Sequence, residues 1–182
     1  AQPVGPGFRP YAWAPTVAEI AARHGLPVEA VLKFDQNTPA LPGVPQVPLA
    51  ESMARLCDYP EGAYRALRAA AAGYVGLEAE NVIVGAGADE IILVLAHAFL
   101  GPGSRASIAP PTYSLYGIAT ELRAATAVGP GDEADVYWRC NPNNPTGAVV
   151  EPEELAELAR SRPSSLVVVD EAAPVAGEQP PL

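Results

Sequence analysis

Between residues 81 and 170, short runs of apolar and β-branched residues alternate with segments of helical periodicity. The predicted strands are residues 81–85, 105–109, 135–140 and 165–170, and the predicted helices are 49–57, 63–75, 88–100, 113–123 and 152–160. Two parallel strands need a long crossover connection, which is usually a helix. The alternation therefore predicts an α/β fold with a mostly parallel sheet and flanking helices.

The segment before this region is rich in proline and predicts a different organisation. Prolines spread over the first fifteen residues predict an extended arm. Thr16 and Glu19 have the spacing of a capping box that begins a short helix, and Gly25 ends it. From position 39 proline recurs every third residue, which favours a stiff tether over a ligand for a proline-binding domain. We expect arm, helix and tether over 1–48 and the main domain over 49–182.

Composition excludes several classes of protein. The chain is 49% hydrophobic and 18% charged, which supports a core and argues against disorder. The most apolar stretch, 91–100, is too short for a membrane span, and a net charge of −10 repels nucleic acid. Cys57 and Cys140 are far apart, and with only His24 and His97 besides them no metal site is expected. With no basic-then-apolar leader, we expect a reducing cytoplasm.

The first predicted strand runs into the sequence Gly-Ala-Gly-Ala-Asp over residues 85–89. Glycines allow a tight turn, and the helix that follows offers free N–H groups to an anion. A dinucleotide fingerprint would need a third glycine near Glu90, and a Walker loop would need Gly-Lys-Ser/Thr, so neither is present. This loop alone fits a plain strand-to-helix turn equally well.

The other three predicted strands also end in polar or aromatic groups. Tyr113 follows the second, the rigid sequence Asn-Pro-Asn-Asn-Pro-Thr-Gly over 141–147 follows the third, and Asp170 ends the fourth. In open parallel sheets, ligands bind beyond the carboxyl ends of the strands. An anion cradle, a stacking ring, an amide and a carboxylate that needs a cationic partner suit a phosphorylated heteroaromatic ring with a protonated nitrogen. Pyridoxal phosphate is such a molecule.

Four motifs resemble those of class I/II aminotransferases and occur in the same order. They are Gly-Ala-Gly-Ala-Asp-Glu at 85–90, Pro-Thr-Tyr-Ser at 111–114, the asparagine-proline sequence at 141–147, and Val-Val-Asp-Glu-Ala at 168–172. With Phe-Arg-Pro-Tyr at 8–11 and Tyr-Pro-Glu at 59–61, the chain most resembles the histidinol-phosphate aminotransferase branch. The resemblance covers nearly the whole chain. It implies the large domain of a pyridoxal-phosphate-dependent transferase of fold type I, truncated, with an extended N-terminal arm.

The resemblance also implies a role for each matching residue in binding pyridoxal 5′-phosphate. The backbone N–H groups of Ala88 and Asp89 would hold the phosphate, and Tyr113 would stack on the pyridine ring. Asn144 would hydrogen-bond the phenolic oxygen of the ring. Asp170 would pair with the protonated ring nitrogen, which keeps the ring an electron sink.

Two further tyrosines carry implied roles in assembly and substrate binding. Tyr59 resembles the tyrosine that reaches across a dimer interface to the cofactor phosphate of the neighbouring subunit. Tyr11 resembles an arm residue that closes over the substrate. The resemblance thus implies a homodimer that takes a small amino donor and a 2-oxo acid. Histidinol phosphate is the first candidate donor, and aromatic amino acids and threonine phosphate remain open.

The chain also departs from the family pattern. Family members are roughly twice as long, and their Schiff-base lysine lies beyond the last matching motif, whereas the only lysine here is Lys33. Ala173 stands where the family has a tyrosine, by substitution or deletion, and the connection over 122–135 is short. No catalytic residue is therefore identified, and we expect this chain alone not to transaminate. A non-catalytic binding or assembly module is the alternative, and a nucleotide-binding domain is disfavoured.

Overall fold

The computed structural model describes residues 14–33, 57, 59 and 61–172. The described residues before 84 and those from 84 onward form two compact units. The predicted arm, the proline tether and the helix at 49–57 lie outside the described residues, apart from Cys57. The predicted domain boundary after residue 48 also lies outside them and stays a prediction.

The first unit contains α1 (Val17–His24), α2 (Arg65–Val75) and two short 3₁₀ turns at Val28–Ala30 and Ala79–Asn81. The predicted limits of α1 are confirmed. The Glu19 N–H donates to the Thr16 hydroxyl at 3.2 Å, and the Thr16 N–H donates to the Glu19 carboxylate at 2.7 Å. The Thr16 N–H and the Thr16 hydroxyl both donate to the Glu19 carboxylate, and these two hydrogen bonds lower the pKa of Glu19. Gly25 ends the helix at a φ of 65°, which favours glycine.

The second unit is a four-stranded parallel sheet with helices. Along the chain its elements are α3 (Gly87–Phe99), β1 (Arg105–Ser107), α4 (Leu115–Leu122), β2 (Thr126–Val128), β3 (Val136–Cys140), α5 (Pro152–Ser161) and β4 (Leu166–Asp170). The strand order is β2-β1-β3-β4, and each neighbouring pair is parallel. The predicted α/β class and its parallel sheet are therefore confirmed.

Two details of the predicted sheet are wrong. Residues 82–85 follow a 3₁₀ turn but pair with no strand among the described residues, and Ile83 is 63% exposed. An apolar run becomes a strand only when a neighbour takes its backbone hydrogen bonds. Conversely, β2 was not predicted, because three residues are too few to show a period of two. β2 lies within the connection over 122–135, of which only the short length was evident from the sequence, and it pairs with β1.

The core lies between the sheet and helices α3 and α4. Its buried members are Ile92, Ala96, Leu100, Ala106, Ile108, Tyr116, Ala119, Val136 and Trp138. Alanines on α3, β1 and α4 allow close approach of helix to sheet. Alternation along β3 turns Tyr137 to the opposite face, where it accepts a hydrogen bond from Arg162, just after α5. The packing thus leaves the carboxyl ends of the strands free for polar loops.

Candidate functional site

The carboxyl ends of β3 and β4 lie side by side. Cys140 and Asp170 are register partners, and the Asn141 N–H donates to the Asp170 carbonyl at 2.8 Å. The asparagine-proline loop and the Asp170 carboxylate therefore begin at neighbouring points of the same edge. Asn144 belongs to this loop, and its predicted role beside Asp170 stays a prediction.

Direct contacts connect the start of α3 to the end of β4. The Tyr113 hydroxyl donates to the Asp89 carboxylate at 2.8 Å. The Tyr113 and Tyr116 rings meet edge to face, with centroids 5.8 Å apart and an interplanar angle of 86°. The Tyr116 hydroxyl then donates to Asp170 Oδ2 at 2.6 Å. Four side chains from three elements or their flanking loops thus form one continuous row, which we call the tyrosine row: Asp89, Tyr113, Tyr116 and Asp170.

Neutral donors, rather than a cation, satisfy the Asp170 carboxylate. Tyr116 donates to Oδ2, and the Ala172 N–H donates to Oδ1 at 3.0 Å. Among the described residues Asp170 has no ion pair. Burial, followed by the hydrogen bond to Asp170, raises the pKa of Tyr116 well above its usual 10. The sequence predicted a cationic partner for this carboxylate, whereas its donors among the described residues are a neutral hydroxyl and a backbone N–H.

The start of α3 offers backbone donors. Gly87 has a φ of 77°, and its N–H is taken by the Gly85 carbonyl at 2.9 Å. Within the described ranges, the N–H groups of Ala88 and Asp89 donate no hydrogen bond. A Cβ on Gly85 would lie 2.7 Å from Cδ1 of Ile91, so a larger residue there would displace the Ile91 side chain. The helix dipole adds partial positive charge at these two free donors.

The three asparagines of the 141–147 loop have different environments. Asn141 exchanges two hydrogen bonds with the Val150 backbone, at 3.0 and 2.8 Å. Asn143 accepts from the Thr112 hydroxyl at 2.7 Å and donates to the Pro111 carbonyl at 2.9 Å, which ties this loop to the loop after β1. Asn144 is exposed. Two asparagines are therefore structural, and the third presents its amide to solvent.

Cys140, which sequence reasoning did not select, lies beneath this loop. Its thiol contacts the Pro142 carbonyl at 3.3 Å and accepts from the Asn144 N–H at 3.4 Å. It also neighbours the Tyr116 hydroxyl. Its position at the carboxyl end of a predicted strand is the sequence feature that could have indicated a place near the site.

The remaining predicted residues are not brought to this edge by the described structure. Tyr59 belongs to the other unit and is 99% exposed. Tyr11 and Ala173 lie outside the described residues. Both cysteines are free. Over the ranges described, no group of three histidine, cysteine or acidic side chains could hold a metal, and no helix is long and apolar enough to cross a membrane.

A separate cleft of about 370 Å³ opens at the amino ends of the strands. Arg105, Asp135 and Ser165 line it together with residues around the end of α5. The Tyr137 hydroxyl there is already satisfied by Arg162, the Ala134 N–H and the Asp132 carbonyl. The cleft contains none of the residues predicted to bind a cofactor, and it lies at the sheet edge opposite to the tyrosine row.

Comparison with known proteins identifies the class of protein to which this chain belongs. The chain belongs to the family described as "Aminotransferase class I and II", whose sequence profile matches residues 27–132 and 129–172. These matches include the tyrosine row and the asparagine-proline loop.

Individual relatives are histidinol-phosphate aminotransferases. The chain is 37% identical over 161 residues to that of Rhodopseudomonas palustris strain HaA2, covering 79% of this chain and 44% of the relative. It is 31% identical over 185 residues to that of Geobacillus thermodenitrificans, covering 91% and 50%. The chain thus spans about half the length of the curated relatives it matches.

A solved structure shows the same fold. The histidinol-phosphate aminotransferase of Sinorhizobium meliloti, determined in complex with pyridoxal-5′-phosphate, matches with a TM-score of 0.73 at 19% identity. The match covers 99% of this chain and 56% of that one. The predicted α/β fold of an aminotransferase large domain is confirmed.

Proposed function

We propose that this chain is the cofactor-binding N-terminal part of a pyridoxal-phosphate-dependent aminotransferase. The whole protein would transfer an amino group between histidinol phosphate, or an amino acid, and a 2-oxo acid. Family membership supports the reaction class, and the relatives favour histidinol phosphate as donor. The observation that carries the proposal is the tyrosine row at the carboxyl edge of a parallel sheet, which brings an aromatic ring and a half-buried carboxylate beside helix N–H groups that donate to no described residue.

The residues present fit pyridoxal 5′-phosphate. A phosphate dianion needs donors, and the net charge of −10 makes local donors essential. The free N–H groups of Ala88 and Asp89 at the start of α3 provide them. The Asp89 carboxylate, which would repel phosphate, is bonded to the Tyr113 hydroxyl. When bound, the cofactor supplies an electron sink for the carbanion at the substrate Cα.

The chain's own residues would bind and orient that ring. Asp170 would hold a proton on the ring nitrogen, because a carboxylate within hydrogen-bond reach favours the charged pyridinium. Asn144, the exposed asparagine of its loop, would donate to the phenolic oxygen. Tyr113 would cover one face of the ring, and α3 would anchor the phosphate. These roles give orientation and charge stabilisation.

Proton transfer at the substrate needs an amine that the site does not contain. Lys33 is the only lysine in the sequence, and it belongs to the other unit. General acid–base help is worth ~10²–10⁴-fold in such a step. We therefore propose that this chain alone binds the cofactor without transaminating. The same observation favours the second candidate, a non-catalytic binding or assembly module with the aminotransferase fold.

Other parts of the proposal concern the whole protein. We propose a cytoplasmic homodimer in which Tyr59 of one subunit reaches the phosphate held by α3 of the other. Its 99% exposure supports a role outside its own unit. Tyr11 would close over the substrate.

The reaction is tested with pyridoxal 5′-phosphate, borohydride reduction and peptide mass analysis. We expect no turnover of histidinol phosphate by the chain, and at most an incidental adduct on Lys33. A longer gene product that continues to a lysine is expected to turn over histidinol phosphate. Turnover by the chain alone, together with an adduct on Lys33, would contradict the proposal that this chain binds the cofactor without transaminating. An inactive natural product with no further lysine would favour the binding module.

A further inference from the structure

Tyr116 is a buried polar side chain next to the candidate site, and several contacts hold it in place. Its relative exposure is 0%, and its ring stacks on Trp138 with centroids 5.4 Å apart and planes 5° from parallel. The Tyr113 ring packs against its edge. The Thr120 hydroxyl donates to the Tyr116 carbonyl at 2.7 Å, one turn further along α4. These contacts fix both the ring plane and the position of the hydroxyl.

That fixed hydroxyl determines the orientation of the Asp170 carboxylate. An O–H donor 2.6 Å from a carboxylate oxygen is a short, charge-assisted hydrogen bond. The Ala172 N–H binds the other oxygen, so each carboxylate oxygen has one donor among the described residues and keeps lone pairs for a second. A strand-end aspartate could otherwise rotate about its side-chain torsions.

We infer that Tyr116 is a positioning residue that holds the Asp170 carboxylate in the orientation needed to receive the protonated ring nitrogen. The inference rests on the proposed function, because it takes Asp170 as the partner of that nitrogen. The row places Tyr113 and Tyr116 in different roles, although they are only three residues apart. Tyr113 covers the cofactor ring, whereas Tyr116 acts only through Asp170. Cys140, on the other side of the Tyr116 hydroxyl, is a weak acceptor and cannot replace the carboxylate.

The alternative is that Tyr116 is an ordinary core residue whose hydroxyl needs a partner. A double-mutant cycle with Tyr116→Phe and Asp170→Ala tests this, since phenylalanine preserves the ring contacts. The first readout, urea unfolding without cofactor, tests whether the hydroxyl and the carboxylate are coupled, and the second readout, ligand affinity, separates the two roles. We expect Tyr116→Phe to lower the folding equilibrium constant about tenfold in the otherwise unaltered chain. In the Asp170→Ala background the hydroxyl keeps only the weak acceptor Cys140, and we expect a much smaller loss. Equal losses in both backgrounds would overturn the inference.

The second readout is affinity for pyridoxamine 5′-phosphate, whose amine cannot form an imine with Lys33. We expect Tyr116→Phe to weaken binding about tenfold, and to have no further effect once Asp170 is alanine. Tyr74→Phe removes the same atom from a 63% exposed tyrosine in the other unit, and it is the matched control, expected to leave affinity unchanged.

The two readouts distinguish failure of the inference from failure of the proposed function. Unaltered affinity in Tyr116→Phe, or an equal loss with and without Asp170, would overturn the positioning role. Absence of binding by the unaltered chain would contradict the proposed cofactor, and the unfolding cycle would still decide whether Tyr116 holds Asp170.

Discussion

A buried neutral hydroxyl that is bonded to a carboxylate resists ionisation, and Tyr116 is in this situation. Burial and the nearby Asp170 carboxylate both disfavour a tyrosinate, so the pKa of Tyr116 in the folded chain lies well above 10. In the unfolded chain the same hydroxyl titrates near its usual value of about 10. Alkaline pH therefore favours the unfolded state through this residue.

The free energy of unfolding should accordingly be insensitive to Tyr116 below about pH 10 and fall above it. One proton released on unfolding contributes at most about 1.4 kcal/mol per pH unit. We expect the slope between about pH 10 and 11 to be shallower by up to this amount in Tyr116→Phe, measured by urea unfolding at each pH. Tyr74→Phe should keep the slope of the unaltered chain. An identical slope in Tyr116→Phe would show that Tyr116 is not held as its neutral form.

In the loop after β3, two adjacent asparagines have different roles, one structural and one in the proposed binding of the cofactor. Asn143 makes three side-chain hydrogen bonds, to Thr112, Pro111 and Thr146, while Asn144 is exposed. We expect Asn143→Ala to lower the free energy of unfolding by about 2 kcal/mol and Asn144→Ala to change it by less than about 0.5 kcal/mol. Affinity for pyridoxamine 5′-phosphate should fall about fivefold in Asn144→Ala. The reverse pattern of stabilities would contradict the division of roles.

The elements also show what could be predicted from the sequence. The alternation of apolar runs and helical segments predicted every element from α3 to β4 except β2. Helix lengths and glycine breaks are local features of the sequence, and the rule that ligands bind beyond the carboxyl ends of strands depends only on the sheet being parallel. The strand predicted over 81–85 was wrong and β2 was missed, because strand formation depends on a neighbour elsewhere in the chain. Tyr116 was missed for a similar reason. Its spacing on α4 is typical of core, and its partner Asp170 is 54 residues away.

For the whole molecule, the exposed Tyr59 leads to a prediction about assembly. If its hydroxyl reaches the phosphate bound by a second copy, cofactor binding and dimerisation are linked. We expect a dimer by sedimentation, tightened by pyridoxamine 5′-phosphate. We expect Tyr59→Phe to weaken binding of that ligand about tenfold, the effect of one hydrogen bond to a charged group. Tyr74→Phe is again the control. A monomer that binds the ligand with undiminished affinity would contradict this prediction.

The cofactor is proposed to bind at the carboxyl edge of the sheet, between the start of α3 and the end of β4. This binding site can be located by NMR titration of the ¹⁵N-labelled chain with pyridoxamine 5′-phosphate. We expect chemical-shift changes at the amides of Ala88, Asp89, Asn144 and Asp170. Shifts confined to the opposite cleft around Asp135 and Ser165, or no shifts at all, would contradict the proposed site.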